Sequence, residues 1–442
     1  MDRLKEYLKT HKLSEIHSSD IAKLLKTFEN KEFLEALQLI PIDIIGDVIL
    51  ALPDRYFDDI ISNLSVTQLS YAITQLESDD QTDFMQKLEE IDKIKAFKIF
   101  ETLHETDREE ITKLQTYKEN EAGAYMQLEI FTAKKREIVQ DVIKHFAKLR
   151  KENSLENVQN LFIVDDENKL NYTVGLDDLL IFDFSQTLQK NLENSGDSFK
   201  PKSAEDREDI KNVVHYFEEY DLSVMPIINH HGILVGRITS DDIYDIIQDE
   251  ATEQMYNLAG VNDDAEDDNE VLNAGKKRAT WLSLNLFTAI IASTVIGLFA
   301  NTLDSMVALA VLMPIVASMG GNAGTQSLTV VVRQLALGDI SQDDAMRIIT
   351  KEVTIALGNG ILFAIIMGII ADIWFGIPML GLVIALSMLI NLFMAGFFGA
   401  TIPLFLKKID VDPAIGSTVI LTTVTDIVGF FSFLGLATYI LL

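Results

Sequence analysis

Five long apolar blocks fill the last third of the chain. ATWLSLNLFTAIIASTVIGLFANTL (279–303) is the first, and the others cover roughly 306–337, 353–377, 379–406 and 415–442. Each exceeds the ~20 residues that an α-helix needs to cross a bilayer. The pattern therefore predicts five membrane spans rather than five buried soluble helices. Upstream the periodicity changes twice. IHSSDIAKLLKTF (16–28), IPIDIIGDVILAL (40–52) and LSVTQLSYAITQL (64–76) recur every 24 residues, with apolar positions at helical spacing. This predicts short stacked helices in an all-α superhelix over 1–118. LFIVDDENKLNYTVGLDDLL (161–180) and MPIINHHGILVGRITSDDIY (225–244) then align without gaps at a spacing of 64. Each reads as a strand, a polar turn, a second strand and an Asp-Asp pair opening a helix, where the acids suit the positive helix end. The doubled α/β unit occupies 119–248, a connecting helix and linker 249–278, and an all-α five-helix membrane domain 279–442.

Charge sharpens this division. The net charge is −30, yet residues 279–442 hold nine acids and five bases, leaving 58 acids and 32 bases in 1–278, a net of −26. So acidic a region disfavours nucleic acid and anionic lipid surfaces as partners and suits divalent or basic ones. There is no cysteine, which excludes disulfides, thiolate metal sites and cysteine catalysis. His145, His215, His230 and His231 form no metal-ligand spacing beside a catalytic acid, and no nucleophile motif stands out, so the chain does not read as an enzyme. The run NDDAEDDNE (262–270) lacks the alternating ligands and turn glycine of an EF-hand and reads as a solvated linker.

Basic residues set an expected orientation. Lys276, Lys277 and Arg278 precede the first block; Arg333, Arg347 and Lys351 lie around the second connection, and Lys407 and Lys408 lie in the fourth. The connections near Asp304 and Asp372 have none. The positive-inside bias places the acidic part in the cytoplasm and the C-terminus outside. The opening MDRLKEYLKTHK has no apolar signal core and is expected to stay cytoplasmic.

Asp426 is the one acid near the middle of a block. Placing a charged side chain there costs roughly 2.5–3.5 kcal/mol, so such residues face a bundle interior or a water-filled path. No Lys or Arg lies at mid-span to pair with it. Thr418, Thr422 and Asp426 are spaced by four and share a helical face; Thr423 and Thr425 add hydroxyls, and Gly429 allows close approach. An oxygen-only lining fits a hard cation such as Mg²⁺, which keeps its water and is held by one or two carboxylates. One acid per chain suffices if two chains meet at a two-fold axis. In the second block, PIVASMGGNAGTQS (314–327) places Asn322, Thr325 and Gln326 at membrane depth, with Gly320, Gly321 and Gly324 among them. Helix packing and pore lining both remain open for this stretch; GGNAG lacks the strand and Lys-Ser/Thr of a phosphate loop.

The doubled unit resembles a tandem CBS pair. The whole order, with PIVASMGGNAGTQS, ATEQMYNLAGV (251–261) and TTVTDIVGF (422–430) as its most specific pieces, resembles the MgtE family of magnesium channels. The resemblance implies a multi-pass homodimer in a bacterial inner (plasma) membrane, with one pore at the dimer axis. It makes Asp426 the pore aspartate for hydrated Mg²⁺, with Thr418, Thr422, Thr425, Asn322 and Gln326 as candidate lining. A "plug" helix would fall at about 241–262, and Asp221, Asp242, Asp245, Glu250 and Glu253 match positions that bind regulatory Mg²⁺ and close the channel when intracellular Mg²⁺ is high. ATP at the CBS pair is a further implied ligand. The chain departs from the family at Gln254, often an acid there, and at Asn171 and Tyr172, where Val-Gly is usual. Rival readings are an ion-coupled secondary transporter of divalent cations, with Asp426 as a proton or sodium site, and a membrane-anchored nucleotide sensor.

Overall fold

The computed structural model describes residues 1–11, 16–152, 155, 157–193, 198–261, 271–336, 340, 344–409 and 411–442; the acidic run 262–270 lies outside them. The chain divides into two compact units, Met1–Gln248 and Asp249–Leu442.

The first unit begins with helices α1 (Asp2–Thr10), α2 (Ser18–Leu25), α3 (Asn30–Leu37), α4 (Ile45–Leu50), α5 (Phe57–Asn63), α6 (Val66–Ile73), α7 (Ser78–Ile91), α8 (Lys93–Thr102) and α9 (Glu105–Leu114). Helices α2, α4, α6 and α8 pack in succession, as do α3 on α5 and α7 on α9. The three recurrent segments are α2, α4 and α6, so the 24-residue period is the rise of a two-layered superhelix. Pro41 and Pro53 stand just before short 3₁₀ turns that lead into α4 and α5, where a missing N–H is harmless. Ser65 and Gln68 cap α6 reciprocally. Leu25, Ile49, Ile60, Leu69, Ile73 and Phe84 are fully buried between the layers, at about 1.5–3 kcal/mol of burial each.

Two three-stranded sheets follow. β1 (Thr132–Lys134), α10 (Val139–Lys151), β2 (Asn160–Val164), β3 (Leu170–Gly175), α11 (Leu176–Leu179) and α12 (Leu188–Leu192) form the first copy. β4 (Ala204–Glu205), α13 (Ile210–Tyr220), β5 (Val224–Ile228), β6 (Leu234–Thr239) and α14 (Ser240–Ala259) form the second. In each, the short first strand runs parallel to the second, which runs antiparallel to the third. The ladder irregularity recurs at the equivalent place, Ile163/Val164 and Ile227/Ile228. The doubling in sequence is thus a doubling of structure down to one backbone kink. The copies differ after β3 and β6: α11 has four residues and α14 has 20.

The second unit contains α15 (Val271–Gly297), α16 (Ala300–Ser305), α17 (Val307–Ala336), α18 (Ala345–Phe375), α19 (Pro378–Lys408) and α20 (Ser417–Leu441). Five of these are long and apolar enough to span a membrane. Two boundaries differ from expectation. The first apolar block breaks at Gly297, and α16 forms separately. The third helix starts at Ala345 rather than near 353, because Arg347 and Lys351 sit on helical turns that hydropathy alone cannot detect. Helix α19 is the hub, packing on α17, α18 and α20. Its most apolar window is 56% buried, against 6% for that of α15, so α15 lies at the periphery of this unit.

Candidate functional site

Asp426 lies midway along α20 and is half-buried. It opens into a cavity of about 350 Å³ shared with Thr418, Thr422 and Thr423 of α20, with Trp281, Asn285 and Thr288 of α15, and with Asn257–Gly260 at the end of α14. Asp426 has no hydrogen-bond or ion-pair partner among the described residues. The hydroxyls around it are already committed as donors. Thr422 Oγ1 donates to the Thr418 carbonyl at 2.9 Å, and Thr423 Oγ1 to that of Val419 at 2.6 Å. Their lone pairs are what remains for the cavity. The lining next to the carboxylate is therefore acceptor-rich.

The end of α14 forms part of the cavity wall. That helix ends in a Schellman motif, with Val261 N donating to Tyr256 O at 2.9 Å and Gly260 N to Asn257 O at 3.1 Å. The Leu258 carbonyl, otherwise an orphan of the last turn, accepts from Thr418 Oγ1 at 3.0 Å. One of the threonines predicted from spacing thus docks the connecting helix onto α20.

Thr418, Thr422 and Asp426 come together as their four-residue spacing requires. Thr425 does not join them: it is fully buried and donates to Thr422 O at 3.1 Å, facing the bundle instead of the cavity. The spacing of one residue from Asp426 turns it about 100° away, while Thr423, the other added hydroxyl, is in the cavity. Asn322 and Gln326 are outside the cavity, exposed on α17 one turn apart, with Ser318 one turn further. The signal for α15 was legible: Trp281, Asn285 and Thr288 mark one helical face of an apolar block.

Asn391 of α19 fixes α20 against α17. It is fully buried and donates through Nδ2 to Val316 O at 2.8 Å. Its side chain fills the space left by two glycines; a Cβ on Gly320 would overlap it, and one on Gly429 would lie 2.8 Å from Nδ2. Gly321, by contrast, faces open space. Gly320→Ala should therefore lower thermal stability in detergent by about 1–3 kcal/mol, whereas Gly321→Ala should be neutral or stabilising. Equal losses for the two variants would contradict this packing.

A second cluster lies in the first unit, where α7 meets the doubled sheets. Glu129 accepts from Ser78 N at 3.1 Å and Ser78 Oγ at 2.9 Å, holding the start of α7. Beside it stand Glu77, Asp79, Asp80 and Asp242. Asp242 accepts from Thr239 Oγ1 at 2.7 Å at the start of α14. Burial, reinforced by neighbouring carboxylates, pushes Glu77 and Asp80 up to about 7 and Asp242 up to about 6, and holds Asp79 well above its ordinary value. Asp79 is 7% exposed, and its Oδ1 has no hydrogen-bond partner. The nearby cation is Arg237, 1% exposed, with a guanidinium nitrogen 3.7 Å from Glu77 and another donating to Asn157 O at 3.2 Å. Among the described residues, no three carboxylates or imidazoles converge tightly enough to hold a bare metal ion. Of the sequence candidates, Asp242 is in this cluster; Asp245 is exposed on the next turn, and Asp221 is the exposed left-handed C-cap of α13, at φ 50°. Glu250 and Glu253 lie further along α14. The α7 acids were missed because nothing in the helical period of 64–91 distinguishes them from a solvated face.

These shifts have a sign. A carboxyl raised on folding binds more protons in the folded unit between its ordinary value and its raised one. The stability it contributes is complete below the ordinary carboxylate range and is lost as pH rises through about 7. In chelator, the melting temperature of the first unit within the whole protein should fall between about pH 5 and about pH 8. A flat profile would show that these carboxyls are not buried together.

Residues 313–436 match the MgtE family, described as a divalent cation transporter; 16–120 match the MgtE intracellular N domain, and 199–249 a CBS domain. The magnesium transporter MgtE of Enterococcus faecalis is 30% identical over 331 residues, 74% of this chain and 71% of that protein. The chain belongs to the MgtE family of magnesium transporters. The MgtE of Bacillus subtilis is 28% identical over 429 residues, covering 96% of this chain and 92% of that protein. The MgtE of Thermus thermophilus is 27% identical over 433 residues, covering 97% and 94%. Among solved structures, the cytosolic domain of the Mg²⁺ channel MgtE in complex with ATP aligns over 55% of this chain and 98% of that one, at 24% identity and a TM-score of 0.48. This multi-pass family member shows the CBS match on its second copy, where Val235-Gly236 stand at the positions of Asn171-Tyr172 in the first.

Proposed function

We propose that the chain conducts Mg²⁺ across a bacterial inner membrane as a homodimer, with Asp426 of each protomer facing a pore on the two-fold axis. The carrying observation is the acceptor-lined cavity around an unpaired carboxylate. Mg²⁺ sheds water reluctantly, and a hydrated ion turns water hydrogens outward, so its walls must accept hydrogen bonds. Six waters occupy roughly 180 Å³, which the cavity of about 350 Å³ accommodates. A bare ion would need converging ligands, and Asp426 offers one carboxylate. The exposed stripe of Ser318, Asn322 and Gln326 on α17 supports a face turned to a second copy or to water, since hydrocarbon would leave it unsatisfied. The basic connections support a cytoplasmic first unit and an external C-terminus.

The same reading assigns closure to the cytosolic acids. Residues 1–278 carry a net −26 per protomer, and Glu77, Asp79, Asp80 and Asp242 gather carboxyls that burial keeps from ionising together, with Arg237 as a partly offsetting cation. Divalent ions held there through water, and by Asp221, Asp245, Glu250 and Glu253, would relieve the repulsion and keep the α14 end seated. ATP is a candidate ligand of the CBS pair. Purified protein in liposomes should pass Mg²⁺ down its own gradient, unchanged when pH and Na⁺ gradients are collapsed. Uptake that stops on collapse would instead support a coupled carrier using Asp426 as a proton or sodium site.

A further inference from the structure

Trp281 stands where the end of α14, the start of α20 and α15 meet. Its ring stands beside two glycines from separate elements: a Cβ on Gly260 would lie 3.9 Å from it, and one on Gly416 3.7 Å. Both glycines have left-handed backbones, at φ 71° and 68°, which residues with side chains adopt only under strain. Gly260 closes the Schellman end of α14, and Gly416 is the N-cap of α20. Each segment therefore turns sharply beside the indole. The Thr418–Leu258 hydrogen bond is made between the same two ends. Trp281 also lines the cavity that contains Asp426.

We infer that Trp281 is a positioning residue that clamps the end of α14 over the Asp426 cavity, so that closing requires the indole to be seated between Gly260 and Gly416. This rests on the reading that the cavity is an ion path. The physical reason is leverage. The Thr418–Leu258 hydrogen bond contributes about 0.5–1.5 kcal/mol, Leu258 also packs against the apolar cluster of α17, α19 and α20, and the indole adds to both. A broad ring beside both turns adds apolar contact at low entropic cost, since an indole has only two rotatable angles. A Cβ at either glycine would meet the ring only at ordinary contact distance, so what each glycine supplies is its left-handed turn. A Trp at the end of an apolar helix is also the residue type found at membrane–water interfaces, and an interface anchor would be independent of Mg²⁺.

The chain has two tryptophans, and Trp374 is exposed near the far end of α18, away from the cavity. Trp374→Phe therefore leaves Trp281 as the sole indole fluorophore in the full-length protein. Its quenching by acrylamide should rise when cytosolic Mg²⁺ is chelated and fall when it is restored. In flux assays, Trp281→Ala should raise the Mg²⁺ concentration of half-closure at least about fivefold, while Trp281→Phe restores most of it. Gly416→Ala, which strains the seat without touching the ring chemistry, should shift it in the same direction. Quenching that ignores Mg²⁺ in protein that still closes, or an unchanged midpoint in Trp281→Ala, would overturn the clamp and leave an interface anchor. Absence of any Mg²⁺ flux with Mg²⁺-dependent quenching intact would instead sink the transport reading and keep the clamp.

Discussion

Asp426→Ala should reduce Mg²⁺ flux into liposomes by about a hundredfold or more while the protein still folds and inserts. Two energies separate these outcomes. Removing the carboxylate from mid-span relieves an insertion cost of roughly 2.5–3.5 kcal/mol, so stability should not fall. The same change removes a charged acceptor for the hydrated ion, and bonds to charged groups are worth about 1.5–3 kcal/mol each. In the proposed dimer, where two copies face one axis, about 3–6 kcal/mol of ion stabilisation is lost, and each 1.4 kcal/mol is tenfold. Asp426→Asn is the informative companion: it keeps shape and one acceptor oxygen but loses the charge. It should therefore be nearly as inactive as alanine if charge is what holds the ion, and near wild type if the oxygen alone suffices. Size-exclusion behaviour and melting temperature verify that loss of flux is not loss of fold.

The joint variant Asp79→Asn, Asp80→Asn and Asp242→Asn should flatten the dependence of flux on cytosolic Mg²⁺. A ligand at about 100 times its dissociation constant stabilises the state it binds by about 2.7 kcal/mol, close to a hundredfold in population. Removing three carboxylates takes away both the binding and the repulsion that binding relieves. The ratio of flux at low and high cytosolic Mg²⁺ should then fall toward one, whatever the absolute level. Limited proteolysis gives a second reading: Mg²⁺ should protect the first unit of the wild type beyond matched monovalent salt and should not protect the variant. Preserved Mg²⁺ dependence would mean that the buried pocket is not the sensor. Asparagine is the appropriate substitute, since it fits the volume around Asp79 without leaving a cavity in a 7%-exposed site.

The parts that were legible in sequence are those with a strong local period. The repeated segments at 16–28, 40–52 and 64–76 became α2, α4 and α6, and the two aligned stretches became β2–β3 and β5–β6 with matching kinks. The face of Thr418, Thr422 and Asp426 followed from spacing alone. What stayed hidden depends on residues far apart in the chain. Asn391 acquires its place only because Gly320 and Gly429 leave room for it, and a lone Asn in an apolar helix does not announce its partners. The acids of α7 look like any solvated face until the sheets cover them and Arg237 is buried beside them. Thr425 shows the opposite error: hydroxyl chemistry suggested lining, but its angular position turns it into the bundle.

Single-channel recording of the purified protein decides whether Asp426 lines a Mg²⁺-gated path for Mg²⁺. With cytosolic Mg²⁺ as the variable, open probability should fall steeply as the ion rises. The reversal potential should follow the Mg²⁺ gradient alone, by about 30 mV per tenfold for a divalent ion. Currents whose reversal moves with pH or Na⁺, or whose open probability ignores cytosolic Mg²⁺, would contradict it.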